Sequence, residues 1–159
     1  MSHEIFVKLD GIDGESKQAN HKGWIDVLDL SYSVTQSASM HTGGGGGVGK
    51  ADFGPVQFSH YLDKASPNLF KYCAAGKHIP KVTFSICKVG DGSQEFAKIV
   101  LTDVIVANVS PGGASGSGMT ETVAMAYSKI ETTVKEQNAN GSMGAGVTGN
   151  WNVKENVAC

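Results

Sequence analysis

The sequence predicts a mainly β protein: an antiparallel β-barrel with one α-helix, formed by a single domain over residues 1–159. Three observations carry this expectation. Long stretches alternate apolar and polar residues, the period of strands with one buried face. Clusters of Gly, Asn, Asp, Ser and Pro separate those stretches at hairpin spacing. Only one segment shifts to the 3.6-residue period of a helix. Long alternating strands leave exposed edges unless the sheet closes on itself, so a barrel is expected before an open sheet.

Residues 5–10 open as a strand, with Ile5, Val7 and Leu9 on one face. Residues 11–16, Gly-Ile-Asp-Gly-Glu-Ser, are turn chemistry. Residues 24–37 read as one longer strand with a phase slip. Ile25 and Val27 hold odd positions, whereas Leu28, Leu30, Tyr32 and Val34 hold even ones. A bulge or bend near Val27 would accommodate that change of face. Asp29, Ser31 and Ser33 form the small polar face of its second half.

Val56 and Phe58 begin another extended piece, and Tyr61, Leu62 and Ala65 read as a helical turn. Ser66 and Pro67 give a fresh helix start, with Ser66 as N-cap and Pro67 at the first helical position. Leu69, Phe70, Cys73 and Ala74 form its expected apolar stripe, and Gly76 is the stop. This helix is expected to plug one end of the barrel. Residues 81–88 alternate Val82, Phe84 and Ile86 against Thr83, Ser85 and Cys87, ahead of a turn at 90–93. Residues 95–109 return as a long strand, apolar on both faces from Ile99 to Val106, as if buried on both sides. Residues 111–118 and 138–149 read as flexible loops, with a long strand over 120–134 between them and residues 151–157 closing the chain.

The most unusual stretch is residues 39–50, Ser-Met-His-Thr-Gly-Gly-Gly-Gly-Gly-Val-Gly-Lys. Gly44 to Lys50 fits the G-x-x-x-x-G-K spacing of a phosphate loop. Ala51 stands where such a loop needs Ser or Thr for magnesium, and Gly54 and Pro55 would break the helix that must follow. The preceding residues alternate, unlike a buried parallel strand. A projecting loop is the better reading.

The chain is long enough to bury about two-thirds of its unfolded surface without disulfides or metals. It carries 21 glycines, only 18% charged residues and a net charge of −2. All 13 basic residues are Lys, so the bidentate donor of sequence-specific nucleic-acid readout is missing. Cys73, Cys87 and Cys159 are an odd set without C-x-x-C spacing, which suits a reducing compartment. Cys73 and Cys87 read as buried apolar residues and Cys159 as an exposed thiol. The N-terminal residues lack signal-peptide character, and no apolar run reaches membrane-span length.

No constellation of catalytic type emerges. His3, His21, His41, His60 and His78 are not at metal-ligand spacing and read as exposed or capping residues. No G-x-S-x-G elbow occurs, and Asp26 and Asp29 fall on opposite faces by strand parity. No catalytic, cofactor or metal site is expected. Apolar content on second strand faces points instead to self-association, with glycine-rich loops that order on docking.

In order and spacing, several segments together resemble the Hcp (haemolysin-coregulated protein) family of bacterial type VI secretion systems, essentially end to end. They are Phe-Val-Lys-Leu at 6–9, Gly-Glu-Ser at 14–16, Ile-Asp-Val-Leu at 25–28, Ser-Met-His and its glycines from 39, residues 61–69, Gly-Lys-His at 76–78, and Trp-Asn-Val at 151–153. The resemblance implies hexameric rings that stack into the inner tube of a contractile sheath, expelled with a spike. The lumen would carry and protect effectors, and export would need no signal peptide: cytoplasmic before firing, then secreted or delivered into target cells. No nucleic-acid partner and no membrane insertion are expected, from the missing Arg and the short apolar runs. On this reading Thr42, Gly43, Gly44, Gly45, Gly46, Gly47, Val48, Gly49 and Lys50 form a ring-stacking arm. Ser31, Ser33 and Ser115 face the lumen and its cargo. The competing reading is a monomeric cytosolic β-barrel carrier.

Overall fold

The computed structural model describes residues 2–39, 47–90 and 92–159. Its elements in chain order are β1 (His3–Leu9), β2 (Ile25–Val27), β3 (Asp29–Ser31), β4 (Val34–Thr35), β5 (Ala38–Ser39), β6 (Gly47–Val48), β7 (Asp52–Phe53) and β8 (Val56–Tyr61). They continue with α1 (Ser66–Ala75), β9 (His78–Lys88), β10 (Gln94–Gly112), β11 (Thr120–Gln137) and β12 (Met143–Asn152). Every pairing of the main sheet is antiparallel, in the order β2-β1-β9-β10-β11-β8-β3.

The two ends of that order are neighbours in sequence. β2 pairs with β1 and β3 pairs with β8, and only Leu28 lies between them. The path therefore returns to its start, and the sheet closes as a barrel. The phase slip in the sequence is this closure. Ile25 faces the core beside β1, then Leu30 faces it beside β8, and exposed Leu28 makes the step, donating its N–H to Ser59 O at 2.8 Å. The single strand expected over 24–37 is thus divided into β2, β3 and β4, because no straight strand can serve both partners. The break also puts both Asp26 and Asp29 on exposed positions, rather than one on each face.

β10 and β11 run the length of the barrel and bend together. Ala97, Ile99 and Leu101 point inward before Asp103, and Val104 and Val106 after it. Asp103 has φ +53°, and the pairing with β11 stays in register on either side of it, Thr102 with Lys129 and Val104 with Tyr127. The apolar run on both parities of β10 therefore records a bend, not burial on both sides: Val100 and Ile105 remain half-buried.

The interior is filled by Val7, Leu9, Ile25, Val56, Phe58, Val82, Phe84, Leu101, Val104, Val123 and Met125. Phe58 meets Phe84 edge to face at 5.8 Å. Each such side chain contributes about 1.5–3 kcal/mol on burial. β9 is covered on its other parity too. Residues 14–24 form a strap over the outside of the sheet, stacking His21 on Phe6 at 4.3 Å and burying Ser85 and Cys87.

α1 starts with Pro67 in its first turn and ends at Gly76, whose left-handed φ of +61° lets the chain turn back on the carbonyls of Tyr72 and Cys73. Ala65 and Leu69 are buried in the barrel core, with Tyr72 and Cys73 half-buried beside them. Several expectations are corrected here. Tyr61 closes β8 and is not helical, Ala65 rather than Ser66 is the N-cap, and Phe70 and Ala74 are exposed. The buried stripe is set by Ala65, one residue before the helix, and its 65-69-72-73 spacing leaves position 70 on the solvent side.

The expected loop over 138–149 is mostly strand. β12 pairs with β11 from Met143, and a turn remains only around Asn138 to Ser142. β12 stands off the closed path, so closure does not remove every edge. Its Val147 is 78% exposed, opposite exposed Val134.

Candidate assembly surfaces

Residues 34–39 and 47–53 leave the barrel as a two-stranded ribbon. Val34 pairs with Phe53 and Thr35 with Asp52; farther out, Ala38 pairs with Val48 and Ser39 with Gly47. At its base Gly54 donates its N–H to Ser33 O at 3.0 Å. Gly47 and Val48 are β6, and Gly49 and Lys50 are exposed and connect it to β7. Thr42, Gly43, Gly44, Gly45 and Gly46 lie outside the described residues. The G-x-x-x-x-G-K spacing thus runs into strand β7 with no helix after it, which removes the helix N-terminus a phosphate loop depends on.

The ribbon base packs on β11 and β12. Tyr127 donates its hydroxyl to Gly54 O at 2.9 Å, and Trp151 stacks with Phe53 at 6.5 Å. Burial raises the Tyr127 phenol above its ordinary value, and the nearby Tyr32 adds to the shift. A cavity of about 270 Å³ lies between Tyr32, Phe53, Tyr127, Ile130 and Trp151.

The outer face of β3, β8, β11 and β10 is small and polar. The register aligns Asp29, Ser59, Thr122 and Ser110 in one row and Ser31, Gln57, Ala124 and Asn108 in the next. Ser59 donates to Asp29 Oδ2 at 2.5 Å and Ser110 to Asn108 Oδ1 at 2.6 Å. Ser31 sits on this face, exposed. Ser33 is exposed at the ribbon base, and Ser115 is exposed in the turn joining β10 to β11, beyond the last paired rows. The three serines therefore do not form one patch. The neighbours of Ser31 that sequence reasoning missed are Gln57, Thr122, Asn108 and Ser110. Their signal was the outward parity of three other strands, which becomes a surface only once the register is known.

Two polar clusters lie elsewhere. Asp103 accepts hydrogen bonds from His78 Nδ1 at 2.6 Å, Ser128 Oγ at 2.8 Å and Lys154 Nζ at 3.1 Å. The His78 bond first, then Ser128 and Lys154, hold its carboxyl well below the usual carboxylate range. Under the strap, His21 Nε2 lies 3.0 Å from Ser85 Oγ, and Ser85 donates to Glu95. This is not a nucleophilic triad: Ser85 is fully buried, and its carboxylate partner bonds the serine instead of orienting the imidazole. His21 and His60 are buried, His3 and His78 exposed, and His41 lies outside the described residues, so the uniformly exposed or capping reading of the histidines does not hold. Cys87 is buried and Cys159 exposed as expected, whereas Cys73 is half-buried.

Comparison with known proteins agrees with this architecture. The family model described as type VI secretion system effector, Hcp, matches residues 6–134. Protein hcp1 of Pseudomonas aeruginosa is 39% identical over 160 residues, covering 99% of each chain. The crystal structure of Hcp1 from Salmonella typhimurium aligns over the whole of both chains with a TM-score of 0.84 at 38% identity. A solved type six secretion system protein reaches a TM-score of 0.94 at 27% identity, over 99% of this chain and all of that one. With a closed antiparallel barrel, one capping helix and a match over most of its length, this chain belongs to the Hcp family of type VI secretion system proteins.

Proposed function

We propose that this protein is a structural tube subunit of a type VI secretion system, a homohexameric ring that stacks into the expelled inner tube. The observation that carries the reading is the β12 edge, covered among the described residues only at Asn152 by Val157, with Val134 and Val147 exposed beside it. A strand edge left open along most of its length beside exposed valines favours pairing with another copy. A head-to-tail contact whose rotation closes gives a ring, and a second contact between ring faces gives a filament. The ribbon of β4 to β7 supplies a projecting element for the second contact, and the polar face carrying Ser31 supplies a lumen wall. That wall is small and weakly charged, which suits transient retention of effector cargo rather than tight binding. The sheath outside and the spike at the tip are the remaining partners. On this reading the protein is cytoplasmic before firing and is then secreted or delivered. No described helix is long and apolar enough to cross a membrane.

The monomeric carrier reading draws on the cavity beside Trp151. At about 270 Å³ it falls just below the ~300–1,000 Å³ of typical ligand pockets. Light scattering and electron microscopy of one fraction decide between the two. The tube reading expects an open-centred particle of about 100 kDa, six copies related by cyclic symmetry. A 16.6 kDa monomer at every concentration puts the carrier first. In the ring, Ser31→Trp should preserve mass and reduce cargo retention; unchanged retention would remove Ser31 from the lumen wall.

A further inference from the structure

His60 is fully buried on β8, between two carboxylates. Its Nε2 lies 2.9 Å from Glu121 Oε1 on β11. Its Nδ1 is buried without a hydrogen-bond partner among the described residues, 3.8 Å from Asp63 Oδ1 in the turn that leads into α1. Asp63 is part of the helix start: its Oδ1 accepts the Ala65 N–H at 2.9 Å, and its own N–H donates to Ser66 Oγ. The charged groups facing this centre are Glu121 from β11, Asp63 from the turn and Glu15 from the strap. Glu15 also accepts the Lys64 N–H at 2.9 Å.

Counting protons shows what is missing. An ionised Glu121 is an acceptor only, so Nε2 carries a hydrogen and donates it. A neutral imidazole then presents a bare Nδ1 to the Asp63 carboxylate, acceptor against acceptor. A buried acceptor without a donor is costly. One proton taken from solvent by the Asp63 carboxyl turns it into a donor that can hydrogen-bond Nδ1, and a short movement of Asp63 closes the gap.

We propose that Glu121, His60 and Asp63 form a proton-operated clasp that ties the start of α1 to β8 and β11 when it takes up one proton. The direction follows from the surroundings. Burial, together with the charges of Glu15 and Glu121, raises the Asp63 carboxyl above its ordinary value, against the pull of the Ala65 N–H and His60. A carboxyl raised on folding holds its proton more tightly in the folded chain. Its contribution is complete at low pH and is lost as pH rises through the folded value. Acid therefore tightens α1.

Amide hydrogen exchange of residues 66–75, corrected for intrinsic rates, tests this in the full-length chain. Protection should be several-fold higher at about pH 3.5, below the unfolded carboxyl value of 3.8, than at about pH 7.5. His60→Gln should abolish the pH dependence, as should Asp63→Asn, whose amide can offer Nδ1 a hydrogen at any pH. Equal protection of the unmodified protein at both pH values, or an Asp63→Asn profile that still follows the unmodified one, would overturn the clasp.

Discussion

Asp103 serves both backbone and side chain at one position. Its φ of +53° is tolerated by Asp and Asn far better than by other non-glycine residues, and it places the bend at which β10 changes its inward face. Its carboxylate meanwhile takes hydrogens from β9, β11 and the C-terminal segment. Two substitutions separate these roles. Asp103→Asn keeps the backbone tolerance and loses the charge, and Asp103→Ala loses both, so melting temperature at neutral pH should fall in that order. Because folding depresses the Asp103 carboxyl, its stabilisation is present above the unfolded value of 3.8 and is lost as pH falls toward the folded value. The gap between the unmodified protein and Asp103→Asn should therefore narrow below about pH 4. A gap that stays constant from neutral pH to about pH 2.5 would mean that the charge contributes nothing. The sequence did not announce this residue, since a polar position inside an apolar run reads as one outward-facing side chain. Only the partners on two other strands reveal it.

α1 and β12 mark the limits of what pattern alone can place. Pro67 and Gly76 act through the local backbone, so they located the helix without reference to the fold. Which helix face is buried depends on the barrel beneath it, and there the sequence misjudged Phe70. Leu69→Ala should cost about 2–5 kcal/mol in urea unfolding, as for a buried leucine. Phe70→Ser, at 66% exposure, should stay within about 0.5 kcal/mol of the unmodified protein. Comparable losses at the two positions would reverse the assigned face. β12 was hidden for a different reason. Gly144, Gly146 and Gly149 give no alternation to read, and the strand exists because β11 offers a long edge to pair with. Closure of the barrel was legible in part: the parity change after Val27 was visible, but a bulge and a change of partner strand leave the same trace in a sequence.

At the scale of the molecule, ribbon and barrel are separable. Among the described residues, four short strands, β4 to β7, pair only with one another, in two small sheets apart from the main one. Their outer pair leads into the glycine-rich stretch, and glycine loses more conformational entropy than any other residue when its backbone is fixed. In the proposed tube that cost suits a stacking contact, because rings could remain soluble until an existing face templates the next. Removing three of the five glycines at 43–47 changes closure entropy by only a fraction of a kcal/mol, since loop cost grows slowly with length. The barrel should keep its melting temperature, and the ring its mass in light scattering. Reach across to the next ring should fall, seen as shorter or fewer tubes by electron microscopy at equal concentration. Tubes of unchanged length would free the arm from stacking. Loss of ring mass would instead place it in the side-to-side contact, leaving the β12 edge to account for the filament.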